Sequence, residues 1–272
     1  MNCQIELLKK IAKETRYEIL KMALNGESSH IGSSLSCVDL LVGLYWNFLN
    51  IYPKEPNCIT RDRFIISKGH AISALYAILA LKGFFDKDYL LTFNHDGSSL
   101  PEHPSPFCVP GLEVATGSLG HGLSIGLGIA LAGKISKENY KVVALLSDGE
   151  CNEGSIWEAA LFAPAKKLNN IIAIIDFNKW QATGRSEETM QISPLADKWK
   201  AFGWEVYEID GNDMQQIINI FDLINERQQK PVAIISHTIK GKGISFMEDD
   251  NNWHYRILKK EELLKAKIEL EL

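Results

Sequence analysis

The sequence predicts an α/β protein built on a doubly wound, mostly parallel sheet flanked by helices, and three observations carry that prediction. Short β-branched runs recur at Val142–Ser147, Ile171–Phe177 and Val232–Ser236. These runs are apolar almost throughout, as strands covered on both faces are. Helical patterns at Ser155–Leu168 and Met214–Arg227 lie between them, so strand and helix alternate at the spacing of parallel crossovers.

From the amino end, apolar residues recur at helical spacing from Ile5 to Leu24, and the turn pair Asn25-Gly26 stops them. Ser36–Leu49 reads as a second helix, and Ala71–Lys82 as a third ended by Gly83. Asp86 to Pro110 is irregular and rich in Pro, Ser and His; loops of that length inside a compact domain are usually functional or disordered. The run Thr116-Gly117-Ser118-Leu119-Gly120-His121-Gly122 then opens a small-residue helix through Ala132. A fourth strand is expected at Glu205–Ile209, and Ile257–Leu272 reads as a charged amphipathic helix that docks or caps. With no internal repeat and no low-complexity linker, one domain is expected over 1–272, with a C-terminal helical extension at about 257–272.

Composition narrows the function. The chain has 272 residues, 46% hydrophobic and 23% charged, the profile of a globular protein with a substantial core. A net charge of -5 without a basic stripe argues against nucleic acid as a partner. Five scattered cysteines with no C-x-x-C pair fit reduced thiols better than a disulfide framework or a zinc site. The amino end lacks a signal-peptide pattern and no apolar run is long enough to span a membrane, so a cytoplasmic location and no membrane partner are expected.

Ligands of open parallel sheets bind beyond the carboxyl ends of the strands. Two strands end in oxygen donors suited to a hard cation, one running into Asp148-Gly149-Glu150 and the other into Asp176-Phe177-Asn178. Magnesium takes one or two such side chains and leaves its other positions to phosphates and water. Gly149 lets a backbone approach a diphosphate, and a helix starting near Ser155 aims its amino end at the same place. A strand ending in Asp-Gly is by itself an ordinary turn. The stretch from Asp148 to Asn178, however, has the length of one crossover, which returns the second donor to the next strand end.

The run S-D-G-E-C-N-E-G-S-I-W-E-A-A, followed by D-F-N, closely resembles the thiamine diphosphate motif of the transketolase family. The resemblance extends in the family's order through Ser29-His30-Ile31-Gly32, Asp62-Arg63-Phe64, Ser67-Lys68-Gly69-His70-Ala71, Glu102-His103-Pro104 and the Thr116–Gly120 run. Thr183-Gly184-Arg185-Ser186-Glu187-Glu188 and His237-Thr238-Ile239-Lys240-Gly241-Lys242-Gly243 continue it. It implies a thiamine diphosphate-binding fold, here its diphosphate-binding domain, with Asp148, Asn178 and the Trp180 carbonyl on magnesium. Gly117, Ser118, Leu119, Gly149 and Asn178 would lie against the cofactor, with His70 at its diphosphate, and Glu153 near a dimer interface in a carboxylate network. A helix-start glutamate is the simpler account of Glu153, and Glu158 is open in the same way. His30, His103 and His254 would hold a sugar's hydroxyls and move protons during carbon–carbon cleavage. His95 and His237 match no family histidine and read as structural; His121 stands where the family commonly has glutamine, and its role is open.

Members of the family continue through a pyrimidine-binding domain that supplies the glutamate activating the cofactor. The resemblance therefore implies an N-terminal subunit of a split transketolase, working with a separate C-terminal subunit in an α2β2 assembly on sugar or sugar-phosphate substrates. Ser147, Ile31 and Glu102 depart from the family's glycine, proline and glycine; the last two lie along the expected substrate channel. The α subunit of a 2-oxo acid dehydrogenase E1 component is the nearest competing expectation, and a non-catalytic cofactor-binding relative a third. A nicotinamide-binding protein is disfavoured because no G-x-G-x-x-G follows the first strand.

Overall fold

A computed structural model of the chain describes residues 2–105 and 108–272. Five parallel strands form one sheet: β1 (Arg63–Ile66), β2 (Val142–Ser147), β3 (Ile171–Phe177), β4 (Glu205–Asp210) and β5 (Val232–His237), in the order β1-β2-β3-β5-β4. The helices are α1 (Asn2–Asn25), α2 (Ile31–Ser36), α3 (Val38–Gly43), α4 (Ile72–Lys82), α5 (Gly122–Ser136), α6 (Gly154–Ala165), α7 (Ser186–Thr189), α8 (Leu195–Ala201), α9 (Met214–Arg227) and α10 (Lys260–Glu269).

Alternation along the central strands divides the core in two. Val143, Leu145, Ile172, Ile174 and Ile234 face the layer holding α1 to α4 and α9. Val142, Ala144, Leu146, Ile171, Ala173 and Ile175 face the layer holding α5, α6 and α8. With both faces covered, β2 and β3 are buried at every position, which is why they are apolar almost without interruption.

The expected strands and the parallel sheet are present, and three differences have physical causes. β1 was not expected: it is a four-residue edge strand that starts on an arginine, too short for a periodic signal. The second helix begins before Ser36. The chain is helical from Ile31, breaks at Cys37 and ends in a π-helical turn over Leu44–Phe48. His30 precedes it in a left-handed conformation, φ 62°, without a side-chain cap, so no capping residue signals the start. The helix expected to reach Leu168 stops at Ala165, because Lys167 turns left-handed and the Leu168 N–H folds back onto the Ala163 carbonyl (3.0 Å). The C-terminal helix is confined to Lys260–Glu269. Residues 106 and 107 of the expected irregular stretch lie outside the described residues; the stretch includes a 3-10 turn over Lys87–Thr92. Among the described residues no helix is long and apolar enough to cross a membrane.

Candidate functional site

Register builds the site. β2 and β3 pair with Ser147 opposite Asp176, so the residues just beyond both strands emerge side by side at the carboxyl edge of the sheet. Asp148 is fully buried and Asn178 nearly so. The Asp148 carboxylate accepts hydrogen bonds from the Gly149 N–H (2.9 Å), the Lys179 N–H (2.9 Å) and the Ser186 hydroxyl (2.7 Å). All three donors are neutral, and burial pushes its pKa up to about 6, with the Asp176 charge adding to the rise. Asn178 donates its amide N–H to Asp176 (3.3 Å), while its Oδ1 accepts from the Trp180 N–H (3.1 Å).

Two buried acids brace this edge. Asp176 forms an ion pair with Lys68, both fully buried, and accepts hydrogen bonds from the hydroxyls of Ser36 (2.6 Å) and Thr238. Burial opposes the Lys68 charge, but Asp176 holds its pKa above the ordinary value. Glu150 accepts from the Gly120 N–H (2.8 Å), the Ser147 N–H (3.2 Å) and the Ser67 hydroxyl, tying the glycine loop to β1 and β2. The Ser155 hydroxyl donates to the Gly120 carbonyl (2.9 Å), which fastens that loop to the start of α6.

A cavity of about 430 Å³ opens above these residues. His30, His70, His103 and His254 line it together with Gly149 and Asn178. The histidines converge from four separate parts of the chain. The His30 ring centroid lies 5.0 Å from that of His254, 5.5 Å from His70 and 5.8 Å from His103. Burial lowers the pKa of His30 and, more strongly, of His70. His254 is brought down to about 3 by burial and then by Lys240, so it is neutral near pH 7. Lys240 Nζ lies 3.1 Å from His254 Nδ1 and donates to Asn251 Oδ1 (2.7 Å). Burial lowers Lys240 itself to about 8, which leaves it mostly protonated at neutral pH. The ammonium can only donate, so His254 Nδ1 is the acceptor and its Nε2 carries the proton.

Most residues singled out in the sequence come together here. Asn178 lines the cavity, and Asp148 lies buried beneath it between Ser147 and Gly149, which both line it; Gly117, Leu119, Trp180 and Glu153 line it too, the last from an exposed position. Gly117 has φ +136°, and a Cβ there would stand 2.9 Å from the His103 ring, so only glycine fits. Ser118 is exposed beside His121 and does not line the cavity. His95 reaches the Asn25 carbonyl (3.0 Å) and His237 pairs with Glu208 (3.1 Å); neither lines the cavity. Lys240, Glu150, Ser33 and Gln181 join the site without a role legible in the sequence. The first two stand inside recognisable motifs, but their partners are distant in sequence.

The donor set suits a magnesium-bound diphosphate. A buried carboxylate with only neutral donors sits beside an amide oxygen at the end of a parallel sheet, as hard-cation chemistry requires. At the cavity wall, Gln181 Nε2 and Asn152 Oδ1 are buried without a hydrogen-bond partner among the described residues. Such polar atoms call for a polar ligand. No cluster of three or more His, Cys, Asp or Glu with metal-holding geometry occurs among the described residues.

The chain is similar to known proteins over nearly its whole length. The family described as "Transketolase, thiamine diphosphate binding domain" matches residues 8–272. An apulose-4-phosphate transketolase subunit of Phocaeicola vulgatus is 43% identical over 254 residues, covering 93% of this chain and 90% of the relative. A 6-deoxy-6-sulfo-D-fructose transketolase subunit of a Clostridium species is 41% identical, covering 96% of this chain and 94% of the relative. Among solved structures, the transketolase of Campylobacter jejuni superposes with a TM-score of 0.92 at 31% identity; the match covers all of this chain but only 43% of that one.

Proposed function

The chain belongs to the transketolase family, matching its thiamine diphosphate-binding domain, and from that premise we propose that it is the diphosphate-binding subunit of a two-chain transketolase. It would transfer a two-carbon ketol unit from a ketose, free or phosphorylated, to an aldose. The observation that carries this reading is the cavity that brings Asn178 and both chain neighbours of the buried Asp148 together with four converging histidines. A diphosphate site alone needs no such cluster; a polyhydroxylated substrate does.

In this reading Asp148, Asn178 and the Trp180 carbonyl hold magnesium, and Gly149, His70 and the Gly117–Leu119 backbone hold the diphosphate. When bound, thiamine diphosphate supplies the nucleophile and electron sink for breaking the carbon–carbon bond. The protein's part is to grip, to orient and to manage protons. His254, with its proton on Nε2, offers a donor to a substrate hydroxyl. His30 and His103 face the same space and can accept or relay protons. The crowded wall formed by Gly117 and His103 leaves little room for water between them.

A separate chain bearing a pyrimidine-binding domain is proposed as the partner, in an α2β2 assembly and a reducing, cytoplasmic setting consistent with five free thiols. The similar Phocaeicola and Clostridium proteins, each named as one subunit of a transketolase, support such a division of labour. The chain spans about two fifths of the length of the Homo sapiens and Campylobacter jejuni transketolases it matches. The test is to assemble the chain with its co-purifying partner and assay ketol transfer between sugar phosphates. Two-carbon transfer, absent with either chain alone, is the expected result. Carbon dioxide release from a 2-oxo acid without ketol transfer would overturn the reading in favour of an E1-type enzyme.

A further inference from the structure

Glu102, Ser29 and His30 form a short hydrogen-bond chain whose direction follows from its atoms. Burial works against the Glu102 charge, but hydrogen bonds from the Ser29 main chain and hydroxyl, together with the neighbouring His30, bring the carboxyl below its ordinary pKa. An ionised carboxylate can only accept. Glu102 Oε1 accepts from the Ser29 N–H (2.9 Å) and from the Ser29 hydroxyl (3.0 Å). The one hydroxyl proton of Ser29 is thereby committed to Glu102. Ser29 Oγ, 2.9 Å from His30 Nδ1, can then meet that nitrogen only as an acceptor, so Nδ1 carries the ring's proton. A direct bond is not the link, because His30 Nδ1 and Glu102 are 3.5 Å apart.

The geometry points to Glu102 as a positioning residue: through Ser29 it fixes His30 in the Nδ1-protonated form and leaves Nε2 as a proton acceptor in the cavity. The backbone supports the same arrangement, since the His30 N–H donates to the His254 carbonyl (2.9 Å) and φ is held at 62°. Other groups facing the ring are His70, His103, His254 and Tyr255, with Lys240 behind His254; none of them accepts from Nδ1 among the described residues. Two adjacent imidazoles therefore present opposite tautomers, His30 an acceptor and His254 a donor. Together they can exchange a proton with a substrate hydroxyl without either ring first rotating. Where the family pattern has glycine at position 102, no side chain could impose this; here the sequence supplies a carboxylate.

The consequence for turnover rests on the proposed transketolase reading, but the tautomer is a property of this chain alone. The test is long-range proton–nitrogen correlation NMR on [15N]histidine-labelled chain, with His30 assigned by His30→Gln. A protonated Nδ1 and bare Nε2 are expected in the native protein, shifting toward the Nε2-protonated form in both Glu102→Ala and Ser29→Ala. In the assembled complex, Glu102→Ala should lower kcat about 100-fold, at the low end for loss of a proton-transfer group, with cofactor affinity unchanged. A native His30 protonated on Nε2, a tautomer insensitive to both substitutions, or a shifted tautomer with full kcat would each overturn the proposal. A native complex that transfers no ketol unit would count against the proposed function alone.

Discussion

Replacing Lys68 with methionine removes a charge from the middle of the fold while keeping most of the side chain's volume. Lys68 and Asp176 are both fully buried, and their ion pair is completed by the Ser33 carbonyl, 2.9 Å from the ammonium, and by the Ser36 hydroxyl, 2.6 Å from the carboxylate. Without the ammonium, Asp176 keeps neutral donors but loses its counter-ion where water cannot replace it. Breaking one side of a buried pair costs about 3–5 kcal/mol. In a chain of this size each kcal/mol moves the melting midpoint by about 2–4 °C, so Lys68→Met should melt roughly 10 °C below the native protein. Thermal and urea unfolding followed by circular dichroism would measure this. Lys68→Met/Asp176→Asn, which leaves no unpaired charge, should recover part of the loss. A Lys68→Met variant within about 1 kcal/mol of the native protein, or a double variant that loses the sum of the two single losses, would refute a stabilising buried pair. The pair also bears on the site, because Asp176 accepts from the Asn178 amide and so fixes which way its oxygen points.

Three further outcomes follow from the same geometry. Gly117→Ala should cut turnover at least about tenfold and destabilise the chain by about 1 kcal/mol or more, since its Cβ would press on the His103 ring at a φ of +136°; steady-state kinetics and a urea titration check it, and native values for both would contradict it. His103→Ala should lower kcat more than cofactor affinity, and equal loss of both by kinetics and calorimetry would place His103 at the diphosphate instead. The cofactor-free chain should lose stability as pH falls below 6.5. The unfolded chain takes up a proton near pH 6.5 that folded His254 refuses until about 3, and His30 and His70 are shifted in the same direction. Each adds at most about 1.4 kcal/mol per pH unit, less with solvent screening. Asp148, raised from 3.8 to about 6, binds its proton more tightly when folded and so flattens the slope below pH 6. A urea midpoint that stays level or rises as pH drops from 7 to 6 would contradict this.

The strands were legible because complete burial on two faces leaves no polar alternation to confuse the signal, as at Ile171–Phe177. β1 was not, because an edge strand of four residues carries little pattern. The Asp148–Asn178 pair could be found from the chain, since each donor stands within three residues of the end of an apolar run and one crossover separates them. Glu150 and Lys240 could not. Glu150 acts on Gly120 and Ser67, and Lys240 on His254, across sequence separations that only the fold closes. Glu102 stands out in the sequence as a carboxylate where the family pattern has glycine; its hydrogen bonds to Ser29 give the departure a chemical meaning.

The most direct measurement is calorimetric titration of thiamine diphosphate into the assembled complex, with and without magnesium, for the native chain and for Asp148→Ala. Binding that requires magnesium and is lost in Asp148→Ala is the expected result. Unchanged affinity in that variant, or native binding indifferent to magnesium, would contradict the claim that Asp148 and Asn178 hold the cofactor through the metal.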